Sequence, residues 1–546
     1  MKGNSINNSL RSIFKNPYAI VLSWIFAVGM VIGYSYYTTE SWMLLYDGTL
    51  GQSLLALFVC LSYSIFYLGI FTLLHWLAAE KPQILRRTAC CKVEEVLFEK
   101  HSFWGPFIVF TLFTIPYVTC FFPGTVSMDA RGQIYSYFAP SSRYGHHPIG
   151  STMVMGWFIH AGRTLFSSDS IGIFFYTGIQ TLIQLSAMAS VLYYQKRLKS
   201  PFVLRWATLG YFSVFPLFQM WGFTVNKDST YYIAFTYMIL GMLDYLREER
   251  KRSSALLLTI SSLVVVVFRK EGRYVVVITL ILLLFNAKQY WRDFCISGVL
   301  CVCTLFLIEG VYMPVNGIEK GSIKEMLSLP LQQTGRYLWL HADEITPEER
   351  ELLEEVFKTE LEQVGYVKET SDCIKGFFKD YPDSRALMGY FKVWYKQGLK
   401  HPATYMQAIL NQMYGYFYPP RRDIRDEIAY FGFSFDTALY EGRDNVSATF
   451  AMENSRGRET LKKYMEDLYQ SPLVGGLYRA GTHTFLLLGM IAYLLHKKQY
   501  KKIVLMVPSV LVLLVAIASP LNASIRYMIP IYMVLPIHFA WCTERK

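Results

Sequence analysis

Twelve long apolar segments constrain the fold of this chain more than any other feature. They lie near 18–37, 52–77, 104–122, 171–194, 203–222, 229–246, 254–268, 274–287, 293–313, 477–496, 503–518 and 526–542. A helix of about 20 apolar residues spans the hydrocarbon core of a bilayer. Only 17% of the residues are charged, against about 25% in soluble domains. The sequence therefore predicts an all-α polytopic membrane protein with about 12 transmembrane helices.

Positive charge is concentrated in short loops between these segments, and it predicts their orientation. The formal net charge is +12, and Lys and Arg favour the cytoplasmic loops of membrane proteins. The basic loops are 78–103, 195–202, 247–252, 288–292 and 497–502. This distribution predicts a multi-pass cell-membrane protein with cytoplasmic amino and carboxy termini, and it argues against nucleic acid as a partner.

One further segment, 148–166, must stay on the outer face for this orientation to hold. If it crossed the membrane, the basic loops between 195 and 292 would turn outward. Its glycines, His160 and Arg163 favour an amphipathic helix that lies in the membrane interface. The first large outer loop is then 123–170.

The predicted organisation has four parts. They are an amino-terminal two-helix extension with a cytoplasmic loop (1–103), a transmembrane core (104–313), a mainly helical extracytoplasmic domain (314–476) and carboxy-terminal transmembrane helices (477–546). In the third part, Thr346-Pro347-Glu348-Glu349 predicts a helix start, because it has a Thr cap, Pro at the first helical position and Glu three residues after the cap. No internal repeat is recognised.

The polar residues predicted to face outward beside the spans form four groups. They are Asp129, Arg131, Arg143, His146 and His147; Asn226, Lys227 and Asp228; Arg269, Lys270, Glu271, Gly272 and Arg273; and Ser519 to Arg526. The third group is cationic on the side where cations are disfavoured. Because guanidinium groups pair with phosphate oxygens, lipid phosphate at the membrane surface is a predicted ligand.

These residues also have simpler explanations. Asp129 fits a helix cap, and the cations of the third group and Arg526 fit side chains that snorkel at the membrane edge. Lys227 and Asp228 fit a local ion pair. The two adjacent histidines resemble a metal pair by type, but without a third His or Cys nearby they are a weak zinc signal. No cofactor is therefore expected, with a divalent metal as the alternative.

The layout resembles the GT-C superfamily of polytopic glycosyltransferases, which includes protein O-mannosyltransferases and the aminoarabinose transferase. The resemblance rests on S-M-D-A-R early in the outer loop, H-H-P before the interfacial segment, and the basic Y-Y-Q-K-R-L-K after the next span. It covers about 100–310. A closer resemblance is to an uncharacterised bacterial family of multi-pass proteins, through P-G-T-V-S-M-D, H-H-P, F-R-K-E-G-R-Y, K-H-P-A-T-Y with G-Y-F-Y-P, and S-P-L-N-A-S-I-R-Y-M-I-P.

The superfamily resemblance implies a GT-C-like fold and a specific activity. A sugar would move from a polyprenyl-phosphate donor to a cell-envelope acceptor (glycan, lipid or protein) on the outer face, with inversion. Asp129 would be catalytic. The donor phosphate would be bound by Arg269, Lys270, Arg273 and Arg526. Second-rank substrate contacts would be Arg131, His146, His147, Lys227, Asp228 and Glu271.

The chain departs from this superfamily in two respects and admits two other functions. Three spans precede the signature loop, where many members have one, which marks an amino-terminal extension by two helices. Superfamily members often have paired acids, whereas Ala130 and Arg131 follow Asp129, so Asp228 or Glu271 is the candidate second carboxylate. One alternative function is a transporter or flippase for a lipid-linked or anionic solute, which needs polar residues deep in the spans. The other is a non-catalytic scaffold for envelope assembly.

Overall fold

A computed structural model describes residues 16–80, 92–139, 144–420, 456–472 and 474–544. The structure is 80% helical. The main helices are α1 (Pro17–Thr39), α2 (Leu50–Glu80), α3 (Trp104–Phe121), α4 (Met128–Phe138), α5 (Ile149–Phe166), α6 (Asp169–Arg197), α7 (Phe202–Val214), α8 (Pro216–Gly222), α9 (Lys227–Leu246), α10 (Arg252–Phe268), α11 (Gly272–Asn286), α12 (Trp291–Leu305), α13 (Ser328–Leu340), α14 (Pro347–Glu354), α15 (Asp372–Phe377), α16 (Ser384–Lys400), α17 (Pro402–Met413), α18 (Arg456–Gln470), α19 (Ala480–His496), α20 (Val507–Ala518) and α21 (Ile525–Thr543).

Short elements complete the fold. Single α-turns lie at Lys92–Glu94, Met313–Val315 and Tyr500–Ile503, and π-helical segments at Glu95–Lys100 and Phe306–Tyr312. The 3₁₀ turns are Lys288–Tyr290, Ile323–Met326, Ala342–Glu344, Leu361–Gln363, Tyr414–Tyr416, Gly475–Tyr478 and Val504–Met506. The strands are β1 (Thr125–Val126), β2 (Tyr144–Gly145), β3 (Thr224–Val225) and β4 (Glu319–Lys320). They form two parallel pairs, β1 with β3 and β2 with β4.

Seven helical stretches in the described ranges are long and apolar enough to cross a membrane. They are Pro17–Thr39, Leu50–Leu74, Trp104–Phe121, Asp169–Arg197, Lys288–Val315, Tyr500–Ala518 and Ile525–Thr543. Three shorter apolar helices are α10, α11 and α19. The protein is therefore an all-α membrane protein, as the composition predicts.

The prediction of one continuous span over 203–222 is wrong. The helix stops at Val214, and Pro216 begins α8 as its first helical residue. Proline clashes with an α conformation of the preceding residue, and Phe215 is accordingly extended, with φ −80° and ψ 103°. The capping box predicted at Thr346 is confirmed: its hydroxyl accepts from the backbone of Glu349, whose side chain accepts from the backbone of Thr346.

The centre of the molecule is built around α9 and α21. Nearly every residue of α9 is buried, and so are most residues of α21. The two helices contact each other, and α9 also contacts α6 and α10. A helix surrounded on all sides in this way has an apolar surface all round rather than one apolar stripe.

At one end of α9, three predicted basic loops and the carboxy-terminal tail meet. The guanidinium of Arg197 contacts Asp244 at 2.6 Å and Glu249 at 2.5 Å. Arg247 pairs with Glu544, and Lys501 with Glu248 at 3.1 Å. The loops that the charge pattern assigns to one face of the membrane are therefore in mutual contact.

The region from α13 to α17 has its own apolar core and is attached to the loop before α21. Residues such as Leu331, Phe357 and Tyr390 form this core. Gln412 donates to the carbonyl of Ser519 at 2.6 Å, and Asn522 exchanges hydrogen bonds with residues 411 and 415. These contacts fix the loop that leads into Arg526, the second residue of α21.

Candidate active site

The site is built where β1 and β3 lie side by side and each leads into a helix. Thr125 is opposite Thr224 and Val126 is opposite Val225. The two threonine hydroxyls are 2.6 Å apart and buried. The segment T-V-S-M-D (125–129) thus lies parallel to T-V-N-K-D (224–228), and the two form a short repeat of the pattern T-V-x-x-D.

Both strands are followed by a capped helix that carries an acid in its first turn. The Ser127 hydroxyl accepts from the backbone of Ala130 and caps α4, while the Asn226 side chain accepts from the backbone of Asp228 and caps α9. Asp129 and Asp228 occupy equivalent positions. A parallel pairing of two identical strand–cap–acid units therefore brings two carboxylates together.

Three cations surround these two carboxylates. Arg526 bridges them, with Nη2 2.8 Å from Asp129 and Nε 3.2 Å from Asp228. The ammonium of Lys227 is 2.6 Å from Asp129, and Nε of Arg269 is 3.3 Å from Asp228. We call Asp129, Asp228, Lys227, Arg269 and Arg526 the carboxylate–cation cluster.

The two carboxylates differ in exposure. The side chain of Asp129 is 27% exposed, whereas that of Asp228 is 2% exposed. In the part of the chain that the structure describes, neither oxygen of Asp228 accepts a hydrogen bond, so only ion pairs hold it. Asp129 is thus the more accessible of the two acids.

Aromatic rings hold the two guanidinium groups. Arg269 lies over Tyr231 at 5.4 Å and over Tyr527 at 4.8 Å, and Arg526 lies over Tyr527 at 5.2 Å. Cation–π contacts are worth about 0.5–2 kcal/mol, with the larger values at desolvated sites. Tyr527 therefore orients both arginines.

The electrostatics of the cluster keep Asp129 charged and His147 neutral. Burial alone raises the pKa of Asp129, but Lys227 and Arg526 outweigh burial and hold this pKa well below its usual value. Burial, reinforced by the charge of Lys227, lowers the pKa of His147 to about 2. Nδ1 of His147 is 3.2 Å from the ammonium of Lys227 and accepts from it.

A cavity of about 300 Å³ lies beside the cluster. His147 lines it, and so do Lys270 and Arg273. Its apolar wall comes from the apolar helix α10 and the stretch Lys288–Val315, through Val266, Val267, Leu305 and Ile308. The cavity thus has a cationic side and a side that is continuous with the apolar helices.

Lys270 and Arg273 belong to this cavity and not to the ion pairs of the cluster. Lys270 donates to the carbonyl of Gly145 at 2.5 Å, and Arg273 pairs with Glu309 at 2.7 Å. Glu271 lies at the edge of the cluster, 3.2 Å from Arg269. Arg131 lies half-buried on α4, and Arg143 is outside the described residues.

Among the described residues, His146 and His147 do not belong to a group of three side chains close enough to share one metal ion. The rings of His146 and His147 are 4.4 Å apart, and Nδ1 of His146 is 3.5 Å from Glu325. Burial lowers the pKa of His146 as well.

Two sequence interpretations are corrected by this geometry. Lys227 and Asp228 do not form a local ion pair, because Lys227 points to Asp129 while Asp228 faces two arginines. Contrary to the prediction of no internal repeat, the chain contains the repeat T-V-x-x-D. The repeat is only five residues long, and each of its two copies follows an apolar stretch. It is the sequence pattern that indicates Asp228 as the partner of Asp129.

Fold and site together define a polytopic all-α membrane protein with a paired-carboxylate site at the ends of its helices. Residues 137–546 match the model of DUF6020, a family of unknown function. The chain therefore belongs to this family. The matched region contains Lys227, Asp228, Arg269 and Arg526, and begins after Asp129. No curated protein and no solved structure matches the chain.

Proposed function

We propose that this protein is a membrane glycosyltransferase that moves a sugar from a polyprenyl-phosphate donor to a cell-envelope acceptor, with inversion at the anomeric carbon. The observation that carries the proposal is the two-sided cavity beside His147. A donor with a phosphate headgroup and a long apolar tail matches both the cationic side and the apolar wall. A water-soluble nucleotide sugar would match only the first.

The cations of the cluster suit a phosphate whose charge grows during the reaction. A donor phosphate would compete with Asp129 for Lys227 and Arg526, since phosphate oxygens form charge-assisted hydrogen bonds with both groups. As the bond from the anomeric carbon to the phosphate oxygen breaks, negative charge builds on the leaving polyprenyl phosphate. Preorganised cations stabilise such charge most in the transition state.

Asp129 is assigned the role of general base. Its carboxylate would take the proton of the acceptor hydroxyl while that oxygen attacks the anomeric carbon from the side opposite the leaving phosphate. Asp129 becomes a stronger base once its cations turn to the donor, because an opposite charge nearby is what lowers the pKa of a carboxylate. A positioned base contributes about 10²–10⁴ in rate.

Asp228 is assigned a positioning role. It is too buried to meet an acceptor, but it faces both Arg269 and Arg526 and fixes where their guanidinium groups lie. Asp228 would therefore affect the reaction by positioning Arg269 and Arg526, without touching the substrate.

We also propose a GT-C-like arrangement of about 12 transmembrane helices with cytoplasmic termini and an extracytoplasmic site. The support is that the carboxylate–cation cluster and the contacts among the basic loops lie at opposite ends of α9. The three shorter apolar helices, α9 and the interrupted pair α7 and α8 would then complete the bundle.

The test is release of polyprenyl phosphate from labelled polyprenyl-phosphate sugars by the purified protein in lipid vesicles. Wild type is compared with Asp129→Asn, which keeps the shape of the side chain and removes its charge. We expect a loss of at least about 10²-fold. Asp169→Asn is the matched control, because Asp169 is also an ion-paired acid, bound to Arg163 at 2.8 Å, but lies outside the cluster.

If Asp129→Asn releases polyprenyl phosphate as fast as wild type, Asp129 is not the general base. If no donor is cleaved but labelled lipid changes leaflet, a flippase replaces the transferase. If neither occurs while the protein binds envelope components, it is a scaffold.

A further inference from the structure

A second cluster of side chains that can bind a metal lies in the region from α13 to α17, and it shares no residue with the carboxylate–cation cluster. His341 follows the end of α13, Glu344 ends the 3₁₀ turn Ala342–Glu344, and His401 separates α16 from α17. Nδ1 of His341 is 2.9 Å from one carboxylate oxygen of Glu344, and Nε2 of His401 is 2.9 Å from the other. One carboxylate is therefore clamped between two imidazoles.

The geometry is close to that of a metal site. One ligand atom from each of the three side chains lies within 4.8 Å of the others. The imidazole rings stack with centroids 3.8 Å apart and an angle of 21° between their planes, so one ring turns before the lone pairs of both point at a single ion. The far nitrogen of His341 is 3.0 Å from the hydroxyl of Thr404, the kind of contact that orients a metal-bound imidazole through its other nitrogen. The three side chains remain partly exposed, so an ion from solvent can reach them.

We propose that His341, Glu344 and His401 bind a zinc ion, with water as the fourth ligand. Two histidines and one glutamate are a known zinc ligand set when a fourth position stays open. Imidazole nitrogen favours zinc over magnesium or calcium, which prefer oxygen ligands. The site is independent of the proposed transferase activity.

The ammonium of Lys400 competes with a metal ion for the carboxylate of Glu344. This ammonium is 2.7 Å from the same oxygen of Glu344 that His401 contacts. The Lys400 side chain is 50% exposed, so it can leave the carboxylate for solvent when a divalent ion arrives. Zinc and the lysine thus exclude each other at Glu344.

Zinc would join segments that are distant in sequence. The packing of α13 against α17 brings His341 and His401 together. An ion that binds the folded arrangement and not the unfolded chain stabilises the fold. Zinc binding is therefore expected to raise the melting temperature of the region from α13 to α17.

The experiment measures zinc affinity of the purified full-length protein, stripped with EDTA, by competition with a chromophoric chelator. We expect one zinc per chain, at least tenfold weaker binding in His341→Ala and in His401→Ala, and tighter binding in Lys400→Met. Lys396→Met is the matched control, because Lys396 is on the same helix but pairs with Glu349 at 2.8 Å. Cobalt substituted for zinc should give the visible absorption of a four-coordinate ion in wild type, Lys400→Met and Lys396→Met, and not in the two histidine variants.

Two results would overturn the proposal. One is zinc affinity that both histidine variants retain. The other is an affinity in Lys400→Met no higher than in Lys396→Met. The lysine variant removes no ligand, so the proposal is still tested if the histidine variants fail to fold.

Discussion

At the scale of single residues, Arg526 organises the site through its two kinds of nitrogen. Nη2 faces Asp129 and Nε faces Asp228, so one planar group holds two acids that would otherwise repel each other. A lysine has a single point of charge and cannot face both acids in this fixed geometry. The identity of the residue, and not merely its charge, is therefore what the paired carboxylates require.

His147 predicts a pH dependence of stability. Its pKa is lowered to about 2 in the folded protein, against about 6.5 in an unfolded chain. Below pH 6.5 the unfolded state binds a proton that the folded state does not, so folding is weakened by about 1.4 kcal/mol per pH unit. Between pH 7 and 5, His147 should account for a loss of about 2 kcal/mol.

The check is thermal unfolding of wild type and His147→Gln in detergent at pH 7 and pH 5. Glutamine can still accept from Lys227 but does not titrate, so the variant should lose less stability on acidification. Asp129 does not obscure this window, because its lowered pKa places its own loss of stability near or below pH 4. His160→Gln, an exposed histidine on α5, serves as control. If wild type and His147→Gln lose the same stability between pH 7 and pH 5, the prediction is contradicted.

At the scale of elements, the parallel pairing of β1 with β3 aligns the two acids. The hydrogen bond between the hydroxyls of Thr125 and Thr224, which join these strands, has a defined donor. The Thr224 hydroxyl donates to the carbonyl of Met220 at 2.6 Å, so the Thr125 hydroxyl must be the donor between the two threonines. Thr224→Val then leaves a buried donor without its acceptor, at a cost of about 1–3 kcal/mol. Thr125→Val removes only that donor and should cost less.

The measurement is the melting temperature of the two valine variants, which have matched volume and burial. Thr224→Val should melt clearly below Thr125→Val. Indistinguishable melting temperatures would show that the hydroxyl chain does not run in this direction.

Local patterns predict the elements well and their pairing poorly. The apolar segments coincide with helices, and the Thr346 capping box depends on four adjacent residues, so sequence alone suffices for it. Asp129, Arg269 and Arg526 were predicted site residues, and they do converge. Their contacts, however, join residues 98 and 397 positions apart, and no local period encodes which acid faces which cation. The break at Phe215 was hidden because both sides of it are apolar.

At the scale of the whole molecule, α9 connects two charged ends through an apolar interior. Asp228 lies in its first turn and Asp244 in its last, about 24 Å apart at 1.5 Å per residue. The hydrocarbon core of a bilayer is about 30 Å thick. Charges at both ends of a buried helix of this length fit a helix that spans the membrane, as the apolar segment 229–246 predicts. The polar residues of α9 leave it outside the seven most apolar helical stretches.

The proposed sidedness predicts which surfaces a membrane-impermeant maleimide can reach in intact cells. Lys358→Cys lies in the region from α13 to α17 and is 40% exposed, whereas Lys498→Cys lies in the exposed basic loop after α19. Wild type, which retains its own cysteines, is the blank. Label above this blank should appear on Lys358→Cys in intact cells and on Lys498→Cys only after permeabilisation. The reverse pattern would put the carboxylate–cation cluster at the cytoplasmic face, and the donor would then have to come from the inner leaflet.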